Sequence, residues 1–493
     1  MSERATRPVT AAPAESARRS GALVARLFHR LLAATFCAAW LSLGRQLDVL
    51  VGSHGLLPAA GYLADARAHG LGWLTLPTVF WLDASDLALR GGIWLGVALS
   101  AAAFLGWRPR LCTGIATALY LSYATVAQSF LSFQWDNLLL ECGALAVLLP
   151  TDRPAPWVHA LFRLLLFKLY WESGIAKWQS PLGDWQDGSA MVWYYETAPL
   201  PTWIGWYAHH LPQWWHHFES RAVLLLELAG PLLVFGPRRA RLWLFAAFGA
   251  FQLANVATAN YGFFVYLALI LQVFLLADAD LQRVLDRLPT RGRIARSGAP
   301  ARAAPAELRP ALAVLVTAIY VGISAGDALA TFAPGYAPAS LYALLRRVAP
   351  WRLVNTYHLF GQVTRERIEP QFAVESDGQW TELMLWYKPG DVQRAPPIVA
   401  PHQPRVDFQL WFYGLSFTRG TPGYVGALLE RLCRDPQAVQ PLFVPALPAR
   451  RTAVKILFWR YRFSDPQTRA STTAWWEREL VVETRPMSCA PAR

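Results

Sequence analysis

Nine apolar runs, most of them about twenty residues long, fill the first two thirds of this chain: 22–44, 91–107, 111–132, 134–149, 157–178, 221–236, 240–258, 261–277 and 310–332. A helix needs about 20 apolar residues to cross a bilayer core, so this spacing constrains the chain before any motif does. It predicts a polytopic α-helical membrane protein of about nine spans. Composition agrees: charged residues make up 16%, against roughly 25% in soluble domains, and mean hydropathy is +0.24. Disorder, collagen and an ordinary cytosolic enzyme are excluded. The run at 134–149 is the weakest, being short and carrying Asp136 and Glu141.

The net charge of +13 is a matter of placement. Arg108 and Arg110, Arg153, the cluster Arg238, Arg239 and Arg241, and the arginines of 278–309 (Arg283, Arg287, Arg291, Arg293, Arg296, Arg302 and Arg309) all sit between apolar runs. With a cytoplasmic tail over 1–21, nine spans put every one of these on the inside, as the positive-inside rule requires. The basic excess is therefore an orientation signal and not a nucleic-acid footprint. Only four basic residues are lysines (Lys168, Lys177, Lys388, Lys455), a usage that suggests a GC-rich bacterial genome. The first apolar run follows without a small-residue cleavage site and reads as an uncleaved anchor.

An odd number of spans puts residues 334–493 outside, which in a bacterium is the periplasm. Within it, 354–363, 371–375, 380–388, 454–463 and 477–483 read as strands, with Ser376-Asp377-Gly378 as a hairpin turn, and 403–417 and 422–433 read as helices. This is an α+β soluble domain following a membrane domain at 22–333, whose basic linker is 278–309. Of the five cysteines, Cys433 and Cys489 lie in the exported part and are able to form one disulfide if they meet there. No zinc spacing, nucleophile elbow, phosphate loop or HExxH occurs, so no metal and no cofactor is expected.

Two groups of residues stand out. Arg163, Lys168, Glu172 and Lys177 lie in or at the ends of one membrane run, where charges are costly and are paired or functional. Lys168 and Glu172, four residues apart, share a helix face and are expected to neutralise each other, with Glu141 or Glu227 as further partners. Read for function instead, a desolvated lysine is a base. The second group is the outside loop 179–220, where Trp193, Tyr194, Tyr195, Trp206, His209, His210, Trp214 and Trp215 are client or ligand contact candidates. Rings of this kind also favour the headgroup level, so a membrane-hugging loop is the plainer reading. His209, His210, His216 and His217 lack the spacing and the carboxylate or thiol partners of a metal site.

Several strings resemble the lipase maturation factor family. They are Ser132-Phe133-Gln134-Trp135-Asp136-Asn137 through Glu141, Ser173-Gly174-Ile175-Ala176-Lys177, Tyr194-Tyr195-Glu196-Thr197, Trp206-Tyr207-Ala208-His209-His210, Ala259-Asn260-Tyr261-Gly262, Leu353-Val354-Asn355-Thr356-Tyr357-His358, Tyr387-Lys388-Pro389-Gly390-Asp391, His402-Gln403-Pro404-Arg405 and Ala474-Trp475-Trp476. They run in order from about 130 to the end. The resemblance implies a membrane protein that helps exported clients, lipases among them, to fold and mature, with membrane lipids as its other partner. Animal members reside in the endoplasmic reticulum, with the C-terminal domain facing the lumen. The membrane part is distantly similar to vitamin K-dependent carboxylase-like proteins, through Gly55-Leu56-Leu57-Pro58 and Gly174-Ile175-Ala176-Lys177. That likeness implies an alternative, an intramembrane enzyme using Lys177 as base on a lipid-soluble cofactor. A transporter with Lys168 and Glu172 along its path is a third class, against which no inverted repeat is visible.

Overall fold

The computed structural model describes residues 21–287, 309–444 and 446–489. The tail before residue 21 and the linker residues 288–308, with Arg291, Arg293, Arg296 and Arg302, lie outside the described residues.

All nine apolar runs become helix, in whole or in part. The long helices are α1 (Ala22–Gly44), α2 (Asp86–Phe104), α3 (Pro109–Val126), α4 (Gln134–Val147) and α5 (Pro156–Trp178). The aromatic loop then forms α6 (Ala190–Thr197) and α7 (Trp203–His209). They lead to α8 (Gln213–Leu228), α9 (Arg238–Thr258), α10 (Phe264–Leu271), α11 (Asp278–Arg287) and α12 (Pro310–Phe332). Four of these, α1, α2, α9 and α12, are long and apolar enough to cross a membrane, and a fifth crossing results if α10, its 3₁₀ extension and α11 are one bent unit. That unit turns by 108° between Leu275 and Asp278. α4 has 14 residues, roughly 21 Å at 1.5 Å per residue, short of a hydrocarbon core of about 30 Å. The run at 221–236 starts earlier, at Gln213, and breaks at Gly230-Pro231 into a 3₁₀ turn, where proline has no N–H to continue the helix.

Polar contacts gather at two opposite ends of the bundle. At one end the Asp278 carboxylate accepts from the backbone N–H groups of Gly21 (2.9 Å) and Val24 (3.0 Å), capping α1 at its positive pole. Arg110 donates to the Val147 carbonyl (2.6 Å), Arg163 to Phe274 (2.9 Å) and Arg241 to Leu275 (3.2 Å). Arginine is thus satisfying carbonyls that helix ends leave open. The other end carries the C-terminal region.

That region is a five-stranded antiparallel sheet. β1 (Arg367–Ser376), β2 (Gln379–Leu383), β3 (Ala453–Phe463) and β4 (Trp476–Glu483) run in the order β2-β1-β3-β4, and β5 (Met487–Ser488) also pairs with β3. Asp377 and Gly378 both have positive φ (+51° and +78°), the geometry of a two-residue hairpin turn that matches strand twist. Four of the five expected strands are present, although 380–388 stops at Leu383. The fifth, 354–363, is not a strand. α14 (Arg405–Ser416) packs on β1 and α15 (Gly423–Arg434) on β3. Gly414 is required in α14 because a Cβ there would collide with the Ile368 carbonyl of β1. α13 (Ala339–Val348) and the short helix Pro466–Thr472 are additions that the sequence patterning did not indicate. Cys433, in α15, is disulfide-bonded to Cys489, just past β5.

Candidate functional site: a charged seam and a cavity beneath it

Burying a carboxylate or a cation without a partner costs several kcal/mol. Among the described residues the membrane helices α4, α5 and α8 bury six such groups, Asp136, Glu141, Lys168, Glu172, Lys177 and Glu227, and each is answered by a specific partner. Asp136, at the start of α4, is fully buried and takes two hydrogen bonds from the Arg405 guanidinium, Nη1 to Oδ2 at 2.6 Å and Nη2 to Oδ1 at 2.8 Å. Tyr120 adds a third at 2.7 Å. Two planar groups meeting in this way form the strongest common ion-pair geometry, and here it joins the membrane bundle to α14.

Lys168 does not pair with Glu172, as their spacing had suggested. Its Nζ lies 3.0 Å from Glu141 Oε1 and 3.1 Å from Ser324 Oγ. A partner on a neighbouring helix comes closer than the one on its own face. Glu141 also accepts from Tyr320 (2.6 Å), Tyr357 Oη (2.7 Å) and both nitrogens of Asn355 (3.1 and 3.0 Å). Glu172 accepts the backbone N–H of Tyr357 at 2.8 Å. Lys177 pairs with Glu227 Oε2 at 2.6 Å, donates to the Leu359 carbonyl at 2.7 Å and stands over the Trp185 ring at 5.1 Å.

Residues 354–363, expected to be a strand, instead belong to an irregular strap, 352–363, threaded into the membrane bundle. Its backbone donors are spent on side chains of the helices: Asn355 on Glu141, Tyr357 on Glu172, His358 on Gln134 (2.8 Å) and Val363 on Asp184 (3.1 Å). The strap begins at Arg352 (φ +50°) and turns at Phe360 (φ +52°), a conformation uncommon for non-glycine residues.

The aromatic loop faces the other side of this seam. Arg367 of β1 donates to the carbonyls of Glu196 (3.1 Å), Ala198 and Pro199 (3.0 Å), closing the C-terminal end of α6. Glu196 in return accepts the Phe463 N–H at 2.8 Å, and burial raises its carboxyl above the usual range. Trp206 is buried, donates to the Ser464 carbonyl (3.0 Å) and packs against Trp475. His210 stacks on Trp206, and His209 lies against Phe463, 3.8 Å from Glu196. Burial, aided by the neighbouring His210 and His216, holds His209 down to about 4. Tyr194 hydrogen-bonds Tyr261 (2.7 Å), and Tyr195 donates to Glu219 (3.0 Å). Trp193 and Trp215 are half-buried, and Trp214 is 67% exposed. Among the described residues no group of three His, Cys, Asp or Glu side chains is placed to hold a metal.

The partners that residue-by-residue reading missed are Arg405, Arg367, Asn260 and Tyr357. Asn260 is a four-way clamp: its Nδ2 donates to Leu200 (3.2 Å) and Pro397 (2.8 Å), and its Oδ1 accepts from Val399 (2.7 Å) and Ala400 (3.0 Å). Gly262 beside it has φ +53°, and a Cβ there would strike Gln403. Each lies in a quoted string except Arg367, which stands four residues before the expected strand 371–375 and opens the observed one. The strings by which the chain resembles a family are largely the seam itself.

Residues 23–283 match the model of the lipase maturation factor transmembrane domain, and residues 353–486 match that of the lipase maturation factor C-terminal domain. The chain belongs to the lipase maturation factor family. It is 30% identical to lipase maturation factor 2 of Homo sapiens, over 93% of this chain and 81% of that protein. To lipase maturation factor 2 of Gallus gallus it is 29% identical, over 93% and 80%. To lipase maturation factor 1 of Bos taurus it is 28% identical, over 92% and 86%. No solved structure matches it. The chain is thus an integral membrane protein, and nothing in these comparisons supports the carboxylase-like alternative.

Under the strap lies a narrow cavity. Its walls come from α5 (Leu169, Tyr170, Ser173, Lys177), α6, α8, α9 and the strap residues Leu359 and Phe360. The space between its wall atoms, with the open solvent at its mouth included, comes to about 550 Å³.

Proposed function

We propose that this chain is a membrane-embedded maturation factor for exported proteins, lipases among them, and that the C-terminal sheet with the aromatic loop beside it forms the client-facing part. The observation that carries the reading is the charged seam. Family membership extends over both regions, and the seam makes them one working unit instead of an anchor with a tethered domain. Lys177, the one candidate base, is neutralised by Glu227 and held by a carbonyl, an arrangement suited to structure. The reading needs no cofactor. Exposed rings on the same side (Trp203, Tyr207, Trp214 and Phe218) offer apolar contact to an unfolded client.

The same reading puts the N-terminus in the cytoplasm, makes the number of crossings odd and places 334–493 in the periplasm of a bacterium. Two things support it. Arg110, Arg163, Arg238 and Arg241 gather at the end of the bundle opposite the sheet, as the positive-inside rule asks of a cytoplasmic face. The sheet end carries the disulfide, which suits an oxidising compartment. Reporter fusions at residues 295 and 493 are expected to report opposite compartments, and the same compartment for both would overturn the count. The function is tested by co-expressing an exported dimeric lipase with this protein and measuring activity per unit of exported lipase antigen. A several-fold gain is expected, lost in the Asp136→Ala variant. Equal specific activity with and without the protein, for several exported lipases, would overturn it.

A further inference from the structure

The cavity beneath the strap has a distinct entrance. Most of its lining is buried. On the helices, the parts that keep partial exposure are Val223 of α8 and Phe251 and Asn255 of α9. These three flank outward-facing Leu225 and Leu253, which are 67% and 60% exposed and belong to surfaces suited to lipid. The side of the cavity between α8 and α9 thus adjoins surface suited to acyl chains, while Leu359 and Phe360 of the strap keep partial exposure on the other side.

Its chemistry selects further. Among the described residues the only full charges on the wall are Lys177 and Glu227, and they neutralise each other at 2.6 Å. An anionic or cationic head would have to enter a low-dielectric site with no net countercharge, at a cost of several kcal/mol. A neutral head faces no such barrier. One wall residue asks for it: Gln252 is 2% exposed, its Nε2 is committed to Tyr170 Oη at 2.9 Å, and its Oε1 is buried without a hydrogen-bond partner. A carbonyl oxygen in that position is matched by a hydroxyl donor. Asn255, at the mouth, adds a second amide. The remaining walls, Leu169, Phe251, Phe264 and Phe360 among them, fit a chain.

We propose that this cavity binds a single-chain neutral lipid with a hydroxyl-bearing head, of the monoacylglycerol or long-chain alcohol class. The chain lies between α5 and α9, and the hydroxyl donates to Gln252 Oε1. The strap closes over the head, so the ligand touches both the membrane bundle and the segment that leads into the sheet.

The test uses the full-length protein in detergent with a monoacylglycerol carrying a diazirine in its acyl chain. Photolysis is expected to label peptides of α5 and α9, and excess unlabelled monoacylglycerol is expected to suppress the labelling. Val223→Trp, which blocks the mouth, is expected to lower it at least tenfold with an unchanged melting temperature, and Gln252→Leu is expected to lower it several-fold. Should Val223→Trp fail to fold, judged by size-exclusion profile and disulfide formation, Asn255→Leu gives the same readout at the rim. Labelling spread over the lipid-facing surfaces and indifferent to these variants would overturn the proposal. Equal competition by a fatty acid anion would overturn the neutral-head assignment.

Discussion

Replacing Asp136 by Ala puts the seam under direct strain. The variant leaves the Arg405 guanidinium about 1% exposed, holding the Phe130 carbonyl (3.1 Å) and the Tyr120 hydroxyl (3.3 Å) but no countercharge. Removing one partner of a buried pair costs about 3–5 kcal/mol. At roughly 2–4 °C per kcal/mol for a 150–250-residue domain, the melting transition is expected to fall by about 6–20 °C. Because Arg405 opens α14, the loss should appear first in the sheet. Limited proteolysis is expected to cut between Tyr357 and Arg367 before it attacks the helices. The double variant Asp136→Leu with Arg405→Met removes both charges, and replacing a buried pair by apolar groups is often neutral. It is expected to recover most of the lost stability, with a coupling energy above about 2 kcal/mol in the double-mutant cycle. An Asp136→Ala protein that melts within a degree of the wild type, or a double variant weaker than both singles, would refute the reasoning.

Three further outcomes follow from other contacts. Cys433 and Cys489 are 56 residues apart, which in the chain-entropy model corresponds to about 4 kcal/mol, so Cys433→Ser is expected to lower the sheet's melting point and abolish the mobility difference between reduced and non-reduced gels. His209 and His402 are both held to about 4 by burial, from an ordinary 6.5. Their folded values are depressed, so the native state binds fewer protons there, and their contribution is present above pH 6.5 and lost as pH falls toward 4. Asp407, pushed up to about 6 by burial, acts in the opposite sense, so the diagnostic is the difference between wild type and His209→Gln, whose melting temperature is expected to fall less between pH 7 and pH 4.5. Asn260→Ala removes four hydrogen bonds to 200 and 397–400, and faster hydrogen exchange at the Val399 and Ala400 amides is expected to report it.

Sequence and structure agree where a local signal decides. The apolar runs are legible because a bilayer core demands a fixed length of apolar helix, and the hairpin at Asp377-Gly378 is legible because few residues tolerate positive φ. They part where the partner lies far along the chain. Residues 354–363 have the aromatic and β-branched composition of a strand, and nothing local reveals that their N–H groups will meet carboxylates instead of another strand. Lys168 and Glu172 do share a face, yet Glu141 on a neighbouring helix wins. Trp206 and Tyr194 have the composition of an interfacial belt, and the surface they meet is protein. Arg405 is 269 residues from Asp136, and no local pattern in the sequence joins the two.

The strap bears on how the protein comes to be built. Glu172 receives its N–H from Tyr357, Glu141 receives three of its hydrogen bonds from Asn355 and Tyr357, and Asp136 waits for Arg405. All three carboxylates enter the membrane long before those residues leave the ribosome. The bundle is thus born with unmet polar demands that only the finished chain supplies, and its completion doubles as a proofreading step on synthesis. Chains stopped at residue 350 are expected to insert and then be degraded, with a markedly shorter half-life in pulse-chase than the full-length protein, and equal half-lives would count against this order of assembly.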